Sequence, residues 1–223
     1  MEVKGISQAI LRRLPIYLTY LKSLPPQGPA HISATAIAAA LHMGEVQVRK
    51  DLASVSKAGR PRIGYIVSEL VEDLEAFLGC NDVSNAVIVG AGKLGKALLD
   101  YEGFSEYGLH IVAGLDIRVA SEETTAGGKP IFGLSKMDDL CKRMNIRIGI
   151  LTVPADQAQK VCDQMVESGI SAILNFAPTH LTVPEGILVQ NENLAASLAV
   201  LSNHLFEQMH KDSIKNTQEG ESL

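Results

Sequence analysis

Asn85-Ala86-Val87-Ile88-Val89-Gly90-Ala91-Gly92-Lys93-Leu94-Gly95-Lys96-Ala97-Leu98-Leu99 decides how the rest of this chain is read. Val87, Ile88 and Val89 form a β-branched run without polar alternation, the pattern of a strand covered on both faces. Gly90-x-Gly92-x-x-Gly95 follows at once, and the first turns of a helix begin inside it. In such a strand–turn–helix the first glycine permits the tight turn. The second lets the backbone approach a pyrophosphate, and the third lets helix and strand pack closely. The helix N-terminus offers free N–H groups to the phosphate. A dinucleotide site is the favoured reading, with Gly90, Ala91, Gly92, Lys93, Leu94 and Gly95 as its candidate residues. The alternative is a close-packed turn without a ligand.

Working outward, residues 110–116 read as a second strand ending in Asp116, 21 residues after Gly95. An acid at that position binds adenosine ribose hydroxyls and favours NAD(H) over NADP(H). Arg118, two residues on, is of the type that accommodates a 2′-phosphate, so a phosphorylated cofactor or coenzyme A stays a lesser alternative. Helices over 135–144 and 154–168 alternate with strands over 147–153 and 172–175, predicting a parallel sheet with helices on both faces. Thr152-Val153-Pro154 and Asn175-Phe176-Ala177-Pro178 end two of these strands, on the edge where open parallel sheets hold ligands. They complete the candidate cofactor set.

The chain has 223 residues, suited to two domains, and is 46% hydrophobic but only 4% aromatic, so its core is aliphatic. No apolar run approaches the ~20 residues of a membrane span, and Met1–Gly5 shows no signal-peptide pattern. The three cysteines are far apart and form no C-x-x-C. Reduced thiols in a cytoplasmic protein, with no metal, are expected. The net charge of −5 is unevenly spread. Residues 1–66 carry nine Lys/Arg against three acids, a balance of +6, and leave −11 for the remainder. That asymmetry points to a polyanion partner for the basic end, the alternative being solvated surface charge.

The basic end has helical organisation. Residues 6–24 read as a helix capped by Ser7, with Ile10, Leu14, Tyr17, Leu18 and Leu21 inward and Pro15 implying a kink or late start. Ser33 caps a short Ala-rich helix over 34–41. His42-Met43-Gly44 turns into a third helix over 45–58, with Val46, Val48, Leu52 and Val55 inward. Two helices across a short Gly turn form a helix-turn-helix. The second presents Gln47, Arg49, Lys50 and Lys57, types that read base edges and phosphates. Gly59-Arg60-Pro61-Arg62-Ile63-Gly64-Tyr65 then reads as a basic hairpin wing, with Arg60 and Arg62 suited to a minor groove. These six polar residues are the candidate DNA contacts. An acidic helix over 67–78 follows.

Leu194, Leu198, Leu201 and Leu205 repeat at intervals of 4, 3 and 4 along a last helix over 192–210. The Rossmann core already has its helices, so this ridge reads as a dimer element, packing on its own domain being the alternative. Expected boundaries are a winged helix-turn-helix domain over 1–79, a Rossmann-type parallel-sheet α/β domain over 80–191, a C-terminal dimer-forming helix over 192–211 and a disordered tail over 212–223.

Several motifs together carry a resemblance. They are Arg13-Leu14-Pro15 with Tyr17, Val48-Arg49-Lys50-Asp51-Leu52, Gly64-Tyr65, Val89-Gly90-Ala91-Gly92-Lys93-Leu94-Gly95 and Leu151-Thr152-Val153-Pro154-Ala155. Gly169-Ile170, Ile173-Leu174-Asn175-Phe176-Ala177-Pro178 and Leu201-Ser202 complete them. Over nearly its full length the chain resembles the Rex family of redox-sensing transcriptional repressors. The resemblance implies a homodimer with an exchanged C-terminal helix, no catalytic residues, NAD(H) as ligand and operator double-stranded DNA as partner. It implies release of the DNA when NADH binds. It assigns DNA contacts to Arg49 and Lys50, cofactor contacts to Gly90, Gly92, Gly95 and Asp116, and domain coupling to Tyr101. Three positions depart from the family pattern. Thr19 stands for an arginine, Asn193 for an aspartate, and Arg118-Val119 for an acid-proline pair. Thr19, Tyr101 and Asn193 therefore mark the coupling network. A divergent member with a weak or altered effector response is one alternative. An NAD-dependent oxidoreductase with an accessory domain, using His180 as acid/base, is another.

Overall fold

The computed structural model describes residues 6–220, with side chains described through His210. The first five residues, read above for a signal pattern, and the last three of the expected tail lie outside the described residues. The chain divides into two compact units, Met1–Val83 with Glu102–His110, and Ser84–Tyr101 with Ile111–Leu223.

In the first unit, α1 (Gln8–Lys22) starts where Ser7 accepts from the Ile10 N–H. Pro15 sits inside the continuous helix rather than at its start, which removes one ladder bond. The predicted stripe Leu14, Tyr17, Leu18 and Leu21 is buried. Strand β1 (His31–Ile32) precedes α2 (Ala34–Ala40), whose N-terminus Ser33 caps through the Ala36 N–H. The helix α3 (Glu45–Val55) ends before the expected residue 58, because Ser56 is already extended. Val48 and Leu52 are fully buried, but Val46 is 62% exposed and does not face inward. One α-helical turn separates core-facing positions by three or four residues, and Val46 lies only two from Val48. Strand β2 (Tyr65–Ile66) pairs antiparallel with β1, and α4 (Val67–Leu78) closes the unit with Leu70 and Leu74 buried.

In the second unit, β3 (Ser84–Val89) leads into α5 (Lys93–Leu99). Strand β4 (Leu109–Asp116) follows a 3-10 turn over Glu102–Tyr107 that clusters with the first unit. Thus the chain returns to the winged-helix unit between two Rossmann elements, an excursion the sequence boundaries did not include. Then come β5 (Glu123–Thr124), β6 (Pro130–Gly133), α6 (Met137–Arg143), β7 (Ile148–Leu151), α7 (Ala155–Glu167), β8 (Ala172–Asn175) and β9 (Leu188–Asn191). The sheet order is β5-β6-β4-β3-β7-β8-β9. β7 runs parallel to β3 and β8, β9 to β8, and β6 to β4, while the edge strand β5 is antiparallel. Starting from β3, the chain winds first toward β6 and then, from β7, toward β9. The strand order reverses between β3 and β7, the place where doubly wound sheets open a crevice. Val87, Val89, Leu115, Leu151 and Ile173 fill the core beneath it, with the free thiols of Cys141 and Cys162 buried alongside.

The last helix, α8 (Leu194–Gly220), continues through most of the stretch expected as a disordered tail. Its ridge is unpacked. Leu194, Leu198, Leu201 and Leu205 are 56–66% exposed, and Phe206 and Met209 about as much.

A β-carbon on Gly95 would land on the Gly90 carbonyl oxygen, deep inside van der Waals contact. Gly95→Ala is expected to destabilise the second unit by roughly 1–3 kcal/mol, read as a lower urea midpoint with unchanged slope.

Candidate functional site

At the switch point of the second unit lies a cavity of about 530 Å³. Its floor comes from the ends of β3 and β4 and the turn after β7: Val89, Gly90, Gly92, Leu115, Asp116, Thr152, Val153 and Pro154. Its walls come from Ile117, Arg118, Leu134 and one face of α7, where Gln157, Lys160, Val161 and Gln164 recur at helical spacing.

The glycine turn has the shape its spacing promised. Gly90 has φ +104°, and a β-carbon there would lie 2.8 Å from Val153. Thr152 holds the turn from the next strand, its hydroxyl donating to the Gly90 carbonyl at 2.6 Å. At Gly92, by contrast, a β-carbon would meet nothing within 4 Å. The missing side chain at Gly90 and Gly95 serves the protein's own packing, whereas at Gly92 it leaves open space. That space in the cavity floor fits the close approach of a pyrophosphate.

Asp116 is 6% exposed and already bonded. It accepts from the Ala91 N–H at 2.9 Å and from the Arg118 backbone N–H at 2.9 Å. The Arg118 guanidinium adds two bonds at 3.0 Å. The Arg118 side-chain bonds, helped by the two backbone donors, hold the carboxyl below the ordinary range despite its burial.

Not all the predicted cofactor residues gather here. Ala91 touches the site through its N–H to Asp116, while Lys93, Leu94 and Gly95 belong to α5 beside the turn. Asn175, Phe176, Ala177 and Pro178 do not line the cavity. Asn175 is buried and serves its own loop: its amide donates to the Thr179 carbonyl and to Asn191, and its oxygen accepts from the Ala177 N–H. That motif staples β8 to β9. His180, the candidate acid/base, does not line the cavity either. Conversely, the α7 face was not foreseen. Its polar members look like ordinary solvated residues in sequence, and only the crevice gives them a common target.

On the first unit, Gln47, Arg49 and Lys50 are exposed on α3, and Arg49 pairs with Glu45 one turn earlier. Lys57 lies just past the helix end. The wing forms as expected. Arg60 and Gly64 exchange backbone bonds at 2.8 and 2.9 Å, and Arg62 sits at the tip with φ +66°. All six candidate DNA residues are exposed.

Behind this face is a buried anchor. Asp51 accepts from Arg13 Nε at 2.6 Å, Arg13 Nη2 at 2.9 Å and the Tyr17 hydroxyl at 2.7 Å. Burial pushes the Asp51 carboxyl up, but the Arg13 and Tyr17 bonds and the Arg13 charge more than reverse it, so it ends below its ordinary value. Burial, with the bond to Asp51, raises the Tyr17 hydroxyl to about 12. The Asp51 bonds tie α3 to α1 and explain why Arg13, Tyr17 and Asp51 occur together.

Residues 81–179 match the family model "CoA binding domain", and residues 5–53 match "Putative DNA-binding protein N-terminus". The chain is 42% identical over 200 residues to the redox-sensing transcriptional repressor Rex of Porphyromonas gingivalis, covering 90% of this chain and 92% of that one. It is 43% identical over 203 residues to the same repressor of Bacteroides fragilis, covering 90% and 91%. The chain belongs to the Rex family of redox-sensing transcriptional repressors. Among solved structures, the Rex-family repressor RSP, in complex with β-NAD⁺ and operator DNA, superposes with a TM-score of 0.84 at 32% identity, covering 96% of this chain and 98% of that one. The RSP complex with β-NADH gives 0.83 at 31%, covering 96% and 100%.

Thr19 and Asn193, expected in the coupling network, both have hydrogen-bond partners. The Thr19 hydroxyl shares a 2.9 Å hydrogen bond with the Tyr107 hydroxyl. Asn193 caps α8, its side chain accepting from the Ala196 N–H at 2.9 Å. Tyr101 is 60% exposed at the end of the α5 turn.

Asp51→Asn removes the acceptor charge that Arg13 and Tyr17 share. At pH 7 it is expected to cost about 3 kcal/mol in urea unfolding. A carboxyl depressed by folding stabilises above its unfolded pKa and loses that contribution as pH falls. The gap between wild type and variant should therefore close below about pH 4.

Proposed function

We propose that this chain represses transcription as a homodimer, binding operator DNA through its winged-helix unit and leaving it when NADH occupies the Rossmann cavity. One observation carries this reading: a single chain joins exposed Arg and Lys residues on a helix and wing to a glycine-floored crevice at a sheet's switch point. Membership of the Rex family supports the pairing.

Each part then has a physical role. Gln47 and Arg49 read base edges from α3, while Lys50 and Lys57 meet phosphates. Arg60 and Arg62 enter the minor groove from the wing. The Arg13–Asp51–Tyr17 anchor holds α3 at a fixed angle to its own unit, so that a rigid face meets the groove. In the cavity, Gly92 admits the pyrophosphate, and Asp116 faces the adenosine ribose. Thr152, Val153 and Pro154 border the far strand end. Bound dinucleotide supplies no chemistry to this reading. It biases the protein between two arrangements, and NADH does so only in proportion to its better fit to the DNA-free one. The apolar ridge of α8 covers itself against a second copy, which places two winged-helix units on one palindromic site. The setting is the cell interior, where operator DNA lies, and the role is regulatory rather than catalytic.

Arg49→Ala and Arg62→Ala are each expected to weaken operator binding by about 1–3 kcal/mol and to flatten its salt dependence. Fluorescence anisotropy on palindromic promoter DNA reads both. In the same assay NADH releases the DNA and NAD⁺ does not. Equal behaviour with both nucleotides refutes the switch. Leu201→Asp is expected to convert the dimer to monomers in analytical ultracentrifugation and to abolish tight operator binding with it.

A further inference from the structure

Asp116 has a full set of partners. An ionised carboxylate offers about four acceptor positions. Ala91 N–H, Arg118 N–H and two guanidinium N–H groups take up that number. A ribose diol can bond Asp116 only if the guanidinium first withdraws, which its 73% exposed side chain permits. A ribose bearing a phosphate needs no such withdrawal. The guanidinium has five N–H donors, and two of them point at Asp116. Three remain for an anion. Glu123 lies near Arg118 and is itself paired with Lys96 at 3.7 Å. On the α7 wall of the same cavity stands Lys160, exposed and without an ion pair among the described residues. The cavity lining thus holds two cations against one carboxylate, a net charge of +1.

We infer that Arg118 and Lys160 equip this cavity for an adenosine whose ribose carries a phosphate monoester. The 2′-phosphate of NADP(H) and the 3′-phosphate of coenzyme A share that chemistry. The inference rests on the cavity being a nucleotide site, and it makes Arg118 the residue that sets effector preference.

Calorimetric titration of the full chain with NADH, NADPH and coenzyme A tests it, in wild type, Arg118→Ala, Arg118→Lys and Lys160→Ala. At least one phosphorylated ligand should bind wild type within about tenfold of NADH. Arg118→Ala should shift the preference about tenfold or more toward NADH, Arg118→Lys should restore part of it, and Lys160→Ala should shift it the same way. Response to NADPH identifies the 2′-phosphate, and response to coenzyme A the 3′-phosphate. Both ligands binding more than about a hundredfold weaker than NADH overturns the inference. So does an equal loss for all three in Arg118→Ala. Operator anisotropy in parallel separates the two readings. Release by NADH with no binding of phosphorylated ligands leaves the repressor intact and removes this inference. Arg118-dependent NADPH binding without NADH-driven release does the reverse.

Discussion

The contact of the first turn of α5 with the carbonyl of Gly90 is the constraint on which the second unit depends. The helix approaches so closely there that Gly95 has no room for a β-carbon, and Thr152 and Val153 leave none at Gly90. Thr152 ties the same carbonyl to the neighbouring strand end. Three elements therefore converge on one peptide group. The crevice opens beside it because the sheet order reverses between β3 and β7. Gly92, between the two packed glycines, faces only space.

The first unit depends on a different kind of constraint, a buried charge that must be satisfied. Asp51 lies on the inner side of the helix whose outer side carries Arg49 and Lys50. A carboxylate at 2% exposure is tolerable only with its partners in place. Arg13 and Tyr17 supply three hydrogen bonds from α1. These bonds join α3 to α1 through directional contacts in addition to their aliphatic packing. The cationic face is thus held from behind by bonds to α1.

Glu102–His110 leaves the Rossmann unit after α5, clusters with the winged-helix unit, and returns along β4 to Asp116. Tyr107 on that excursion bonds Thr19 on α1. The pair is uncharged, two hydroxyls sharing one hydrogen bond.

Much was legible in the sequence because it depends on periodicity and on special residues. The β-branched run before Gly90, the caps Ser7 and Ser33, the stripe from Leu14 to Leu21 and the strand ending at Asp116 all follow from local rules. So does the basic wing, since hairpins announce themselves by glycine and proline. What the sequence could not settle lies where distant segments meet. Asn175 sits at a strand end like a ligand residue, yet folding commits its amide to Asn191 and Thr179. Gln157 and Lys160 look like solvent-facing residues until the crevice opens beside α7. Strand β9 carries no strand pattern, because Leu188–Asn191 is short and largely exposed. Val46 is apolar yet exposed, because helical phase and not hydrophobicity sets which side of α3 is buried. Local chemistry by itself determined which elements form and which end of the chain is cationic. Only the tertiary structure decided which polar groups satisfy one another and which remain to face the cavity, because hydrogen bonding between distant residues leaves no periodic trace in sequence.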